Sequence, residues 1–313
     1  MIAGSAAEID RDRFAGCLLG LALGDAMGAP FEGGVLERLL WRCIGRTRAG
    51  HTRWTDDTQM ALDVAASLAA HGRLEQDDLA RRFGASYRWS RGYGPGAAKV
   101  LRRIRRGVDW RVANRTVHAD GSHGNGGAMR APVVGIWFAG SGELVAGARA
   151  SAEVTHAHPL GQAGAVVIAA ATAGAASGAD AHGVIAAARS SCTAEPFCGQ
   201  LATVHEWRER GNAPGARVVR DTLGNGIAAA RSCVTAIHAA VRFLDAPFVD
   251  LQQFVRELRG DVDTIGAMAG AVWGAANGAQ RLPAEPLAKL EQREWIEAAA
   301  VALHARRYAP SPG

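Results

Sequence analysis

The sequence predicts an all-α protein, and three observations carry that prediction. Apolar residues recur at helical spacing in ten segments bounded by Gly, Pro or Asn. No stretch alternates apolar and polar residues as a half-buried strand would. Hydrophobic residues make up 48% of the 313-residue chain, aromatics only 6%, and glycine contributes 39 residues, a composition suited to helices packed closely through small side chains. No linker-like shift divides the chain and no repeat of fixed period is present, so a single domain is expected over residues 1–313, with a core from about 10 to 306.

Each helix has a local reason. The run RFAGCLLGLALGDAMGAP, residues 13–30, reads as a helix stopped by glycine and proline, with Asp25 near its end and Glu32 in the loop beyond. Thr55, Asp56 and Asp57 open a helix over 56–71: the threonine hydroxyl can cap free N–H groups, and the two acids meet the positive end of the helix dipole. Further helices are expected over 76–90, 97–106, 143–156, 161–178, 197–210, 226–244 and 250–258. The uncharged stretch 154–179 is mostly Ala, Gly and polar residues with Pro159 near its start, and reads as a buried helix rather than a membrane span. The last strong element, GDVDTIGAMAGAVWGAANG over 260–278, sets Gly266, Gly270, Gly274 and Gly278 along one ridge. A helical glycine costs about 0.5–1 kcal/mol relative to alanine, so four in register imply a neighbouring helix in near van der Waals contact.

The net charge of +5 comes mainly from arginines such as Arg81, Arg82, Arg88, Arg91, Arg102, Arg103, Arg105 and Arg106. They read as solvated helix faces that tolerate anionic ligands, since a nucleic-acid module usually interleaves aromatics with its basic residues and the run from Arg102 to Arg106 has none. The five cysteines include no CxxC pair and fit reduced thiols. The opening MIAGSAAEIDRDRF lacks a basic-then-apolar leader. We therefore expect a cytoplasmic monomer without membrane or nucleic-acid partners.

Chemistry concentrates in two acidic clusters. Asp261, Asp263 and Thr264 begin the glycine-ridged helix as Thr55, Asp56 and Asp57 begin the earlier one. If the fold brings both together with Glu32, five carboxylates and two threonine hydroxyls share a pocket whose repulsion demands cations. Oxygen-only ligands select hard divalent ions, Mg²⁺ or Mn²⁺. The DVDT stretch alone also resembles the acid loop of haloacid-dehalogenase-type phosphatases, but that loop follows a buried apolar strand, whereas FVRELRG here is a charged helix end. Between the clusters, GYGPG (92–96) and GSHGNGGAMR (121–130) can each present backbone N–H groups to a diphosphate or form plain turns, and Ser122, His123 and Asn125 add hydrogen-bonding groups to the second.

The segments GCLLGLALGDAMGAPFE, WTDDTQM, RGYGPG, GNGGAMRAP, VTHAHPLG and GDVDTIGAMAGAVWGAANG, in this order through nearly the whole chain, resemble the ADP-ribosylglycohydrolase family, which includes the dinitrogenase reductase-activating glycohydrolases. RGYGPG, SHGNGGAMR and VTHAHPLG are most similar to the branch that removes serine-linked ADP-ribose and degrades poly(ADP-ribose). The resemblance implies a compact orthogonal helical domain holding two Mg²⁺ ions, with Mn²⁺ as the substitute. It implies Thr55, Asp56, Asp57, Asp261, Asp263 and Thr264 as metal ligands, and Glu32 as a loop glutamate that reaches the metals and gates the site. It further implies that Gly121, Ser122, His123, Gly124, Asn125 and Gly126 hold the diphosphate and adjoining ribose, with Asp56 and Gly94 also at the substrate, His156 beside it and Ile227 toward the adenine. The sequence departs from the family pattern in a short connection between Glu32 and Thr55, in Val262 between the late aspartates, and in His123 where tyrosine is frequent; these bear on which linkage is cleaved.

The expected activity is hydrolysis of the C1″ glycosidic bond of ADP-ribosylated proteins or small molecules, through an oxocarbenium-like state that needs a positioned water and a protonated leaving group. Asp261 and Glu32 are the catalytic candidates for proton exchange. O-linked substrates are favoured; arginine-linked hydrolysis and non-catalytic ADP-ribose binding are the competing readings.

Overall fold

The Asp10 side chain accepts a hydrogen bond from the Asp12 amide at 2.9 Å and so starts the first helix, α1 (Arg11–Gly28). The computed structural model describes residues 8–309; the first seven residues of the leaderless N-terminal reading lie outside them. Among the described residues sixteen α-helices follow. The first of these are α2 (Val35–Ile44), α3 (Asp56–His71), α4 (Gln76–Ser86), α5 (Pro95–Arg105), α6 (Trp110–Ala113), α7 (Ala131–Trp137) and α8 (Leu144–Glu153). Then come α9 (Pro159–Ala176), α10 (Ala181–Ser191), α11 (Phe197–Glu209), α12 (Ala216–Leu223), α13 (Cys233–Arg242), α14 (Phe248–Leu258), α15 (Val262–Asn277), α16 (Ala284–Ala288) and α17 (Arg293–Arg307). Among the described residues no strand forms; three isolated bridges occur, one of them joining Gly124 to Ala228. The fold is all-α.

Two helices, α9 and α15, are apolar nearly all round and sit in the middle. Helix α9 packs against α7, α8, α10, α13 and α15, and α15 packs most extensively against α1. By length and composition α1 and α9 could each cross a membrane, yet both are largely buried among other helices, in line with the buried-helix reading of 154–179.

The glycine ridge of α15 has its partner in α1, which carries a matching series. A Cβ on Gly16 would stand 2.2 Å from the Gly274 carbonyl oxygen, one on Gly20 2.3 Å from that of Gly270, and one on Gly24 2.1 Å from that of Gly266. Falling numbers on one helix against rising numbers on the other make the pair antiparallel. The six glycines of these contacts cost roughly 3–6 kcal/mol relative to alanine. Continuous dispersion contact between the two backbones offsets that cost. The antiparallel register sets the C-terminal end of α1 beside the N-terminal end of α15.

Several boundaries depart from the sequence reading. The expected 226–244 helix begins only at Cys233, because residues 227–229 pair with the glycine-rich segment: Asn125 N–H donates to the Ile227 carbonyl and Ala229 N–H to that of His123. The 76–90 helix stops at Ser86, and α2 occupies the connection read as a short loop after Glu32. Helices α6, α7, α10, α12, α16 and α17 had no counterpart in the periodicity.

Candidate active site

Trp54 sets the entry into α3. Its ring is fully buried under the Arg91 guanidinium, 3.4 Å away, and its indole N–H donates to the Glu291 carbonyl at 3.0 Å. Arg91 is held in turn by the Glu291 carboxylate at 2.6 Å and the Trp54 carbonyl at 2.8 Å. The next residue, Thr55, caps α3 by accepting from the Asp57 amide at 3.3 Å.

A second carboxylate caps the same helix from outside. Asp25, fully buried near the end of α1, accepts from Thr55 N–H at 2.9 and 3.0 Å, from Thr58 N–H at 3.1 Å and from the Thr58 hydroxyl at 2.5 Å. Sequence reasoning noted Asp25 but gave it no role. The available signal was a lone charge within an otherwise apolar run, LGLALGDAMG.

The two acidic clusters do converge. Carboxylate oxygens of Asp25, Asp57 and Asp263 lie within 4.8 Å of one another, as do those of Glu32, Asp261 and Asp263. The Thr264 hydroxyl donates to Asp57 at 3.4 Å, and Asn125 donates its side-chain amide to Asp261 while also reaching the Ser232 hydroxyl at 3.0 Å. One oxygen of Asp57, Oδ2, is buried with no hydrogen-bond partner. Asp56 lines the same pocket, partly exposed.

Burial first, and then the neighbouring negative charges, push Asp56, Asp57 and Asp263 well above the usual carboxylate range. Asp261 is pushed up to about 7 by burial and by Glu32; Asp25 is raised to about 6 by burial against the opposing pull of its hydrogen bonds from Thr58 and Thr55. An all-oxygen set with an orphaned buried oxygen and this much mutual repulsion fits hard divalent cations.

Around the acids lies a cavity of about 260 Å³ whose wall includes Glu32, Gly94, Ser122, Gly124, Asn125, Gly126, His156 and Ile227. Gly94 is the N-cap of α5, so the first turn of that helix, Pro95 to Ala97, faces the cavity with its positive dipole end. Gly126 is a glycine because the His156 ring fills the space: a Cβ there would come within 2.6 Å of the ring. His156 Nδ1 pairs with the Thr155 hydroxyl at 2.8 Å, and burial with the nearby Arg130 charge lowers its pKa to about 3, so the imidazole is neutral. Ile227 is 72% exposed at the rim.

Gly121 and His123 are not part of that wall. Gly121 holds a left-handed turn (φ 85°) against Ala157 and His158, and the exposed His123 ring packs between His118, 6.4 Å away, and His158, 5.8 Å away. His118, which the sequence reading did not select, lines the cavity instead.

Residues 6–313 match the family described as ADP-ribosylglycohydrolase. The chain is 32% identical to the ADP-ribosylhydrolase ARH3 of Bos taurus, over 96% of this chain and 94% of that protein, and 31% identical to ARH3 of Homo sapiens over 93% of each. It is 28% identical to the ADP-ribosyl-[dinitrogen reductase] glycohydrolase of Rhodospirillum rubrum, over 90% and 91%. A solved structure titled "ADP-ribosylglycohydrolase-related protein complex" superposes with a TM-score of 0.68 at 28% identity, covering 95% of this chain and 98% of that one. With the acidic pocket, the paired helix starts and the full-length match in agreement, the chain belongs to the ADP-ribosylglycohydrolase family and is a glycosidase-type hydrolase.

Proposed function

We propose that the protein hydrolyses the C1″ glycosidic bond of ADP-ribosylated substrates with two bound Mg²⁺ ions, Mn²⁺ substituting, and that O-linked ADP-ribose, on serine or in a related O-ester or O-glycoside, is its preferred substrate. The observation that carries the metal dependence is the meeting of two acid triads through buried Asp263, with Asp57 Oδ2 left unpartnered. Asp25, Thr55, Asp56, Asp57, Asp261, Asp263, Thr264 and Glu32 would hold the ions. When bound, Mg²⁺ orients ribose hydroxyls and acidifies a coordinated water.

The chain's own groups account for the rest. The first turn of α5 and the backbone around Ser122 and Gly124 offer N–H groups to the diphosphate. Neutral His156 shapes the wall against which the ribose rests, without adding a charge to it. Ile227 gives the adenine an apolar surface at the rim. In the reaction the C1″–O bond breaks, a water oxygen bonds to C1″, and the departing serine oxygen takes up a proton. Glu32 and Asp261 are the carboxylates placed to exchange that proton, and Asn125 fixes the orientation of Asp261.

Support for the O-linked preference comes from the three segments RGYGPG, SHGNGGAMR and VTHAHPLG, together with the higher identity to the ARH3 relatives than to the dinitrogen reductase relative. The test is incubation with serine-linked and arginine-linked ADP-ribosyl peptides, with and without EDTA. Serine-linked peptide should turn over faster, and EDTA should stop both reactions. Tenfold faster release from arginine, about 1.4 kcal/mol in transition-state binding, would overturn the linkage preference. Tight ADP-ribose binding with no turnover of either peptide would overturn the catalytic reading.

A further inference from the structure

Away from the acid pocket, two neighbouring helices bring together a different donor set. Asp180 caps α10 by accepting from the Gly183 amide at 2.8 Å, which fixes the first turn bearing His182. On α11, Leu201 and Val204 are buried against the core, while His205 and Glu209, four residues apart, share one face toward α10. His182 Nδ1 stands 3.0 Å from Glu209 Oε1, the His182 and His205 ring centroids are 6.5 Å apart and edge to face, and one donor atom from each of the three residues lies within 4.8 Å of the others.

We propose that His182, His205 and Glu209 form a second metal site, selective for Zn²⁺ and similar borderline transition ions, distinct in chemistry from the oxygen-only cluster. Two imidazoles with one carboxylate are the donor set of three-ligand zinc sites, whereas Mg²⁺ seeks oxygen. Ligands about 2.1 Å from a shared tetrahedral ion stand about 3.4 Å apart, so side-chain rotations of about an ångström close the triad without moving either backbone. An ion pair between His182 and Glu209 alone would not call for His205. The side chains of His182 and Glu209 are 45% and 56% exposed, which leaves water the remaining coordination positions and the ion a direct entry path. Bound there, the ion ties α10 to α11.

The test uses the full chain stripped with EDTA and then held in excess Mg²⁺ to saturate the oxygen site. Calorimetric titration should find one equivalent of Zn²⁺ bound, the melting temperature should rise with Zn²⁺, and Co²⁺ should give visible absorption bands of a low-coordinate site. His205→Ala and His182→Ala should each weaken Zn²⁺ binding at least tenfold and abolish the Co²⁺ bands, with hydrolase activity in Mg²⁺ and the far-ultraviolet circular dichroism unchanged. Cys43→Ser, which removes an exposed thiol, should leave Zn²⁺ binding intact. Absence of Zn²⁺ binding over Mg²⁺, retention of it in His205→Ala, or its loss in Cys43→Ser overturns the proposal.

Discussion

The α1–α15 seam and the segment carrying α2 deliver acids to the same pocket by opposite means. In the seam, Asp25, Asp261 and Asp263 hang from two backbones in contact, where even one added methyl would meet a carbonyl at little more than 2 Å. Glu32 instead precedes a helix whose Val35, Leu39 and Leu40 are 82%, 54% and 54% exposed, with Trp41 buried. Local opening costs little where few apolar contacts are buried. The seam therefore fixes the positions of its buried carboxylates, while the α2 segment holds Glu32 beside several exposed apolar side chains.

The strongest way to break this contrast is to crowd the seam. Gly20→Leu forces side-chain atoms against Gly270 and Gly274 and should destabilise the protein by more than about 3 kcal/mol. A melting temperature within two or three degrees of the parent, roughly 1 kcal/mol or less for a chain of this size, would show that the seam is not the rigid half. Asp263→Ala, which removes the carboxylate common to both acid triads, should lower metal-dependent hydrolysis by about 10³-fold, some 4 kcal/mol, with the helical circular dichroism signal retained. Residual activity above a tenth of the parent value would count against its place at the centre.

A pH titration sharpens the comparison. In EDTA the folded-state pKa values of Asp25, about 6, and Asp261, about 7, lie above the ordinary aspartate value. The folded state then holds protons that the unfolded state has released, so stability should fall as pH rises from about 4 to about 7. Saturating Mg²⁺ should flatten the slope; an EDTA sample equally stable at both ends would remove the electrostatic argument for cation binding. The smallest effect belongs to the α2 side: Leu39→Ser should change stability by no more than about 0.5 kcal/mol in chemical denaturation, because little surface is buried there.

The same contrast separates what could be read from the sequence. Helix α3 matches its expected bounds because Thr55 caps its start and Gly72, at φ 71°, ends it in the left-handed region. The ridge on α15 announced a close neighbour, although the matching series on α1 went unnoticed. Asp25 escaped because acids were sought at helix starts, where the dipole favours them, and it sits near a helix end; the amides that stabilise it belong to α3. Helix α2 was missed although its apolar and charged residues segregate at helical spacing, and α17 because Gln292 begins it without a side-chain cap. The Ala-rich 226–232 stretch looked helical, yet its pairing with the Gly124 segment is tertiary and leaves no local trace.

A four-residue glycine repeat on both helices is a ruler whose divisions all look alike. Sliding α15 along α1 by one division would again match glycine to glycine over most of the length, displacing Asp263 from Asp25 by about 6 Å. That exceeds the 4.8 Å span of the acid triads, so a chain seated one notch away would keep its helices and lose the convergence of its acids. The acids thus act as the zero mark of the ruler: they meet only where the two helices have met at the right division.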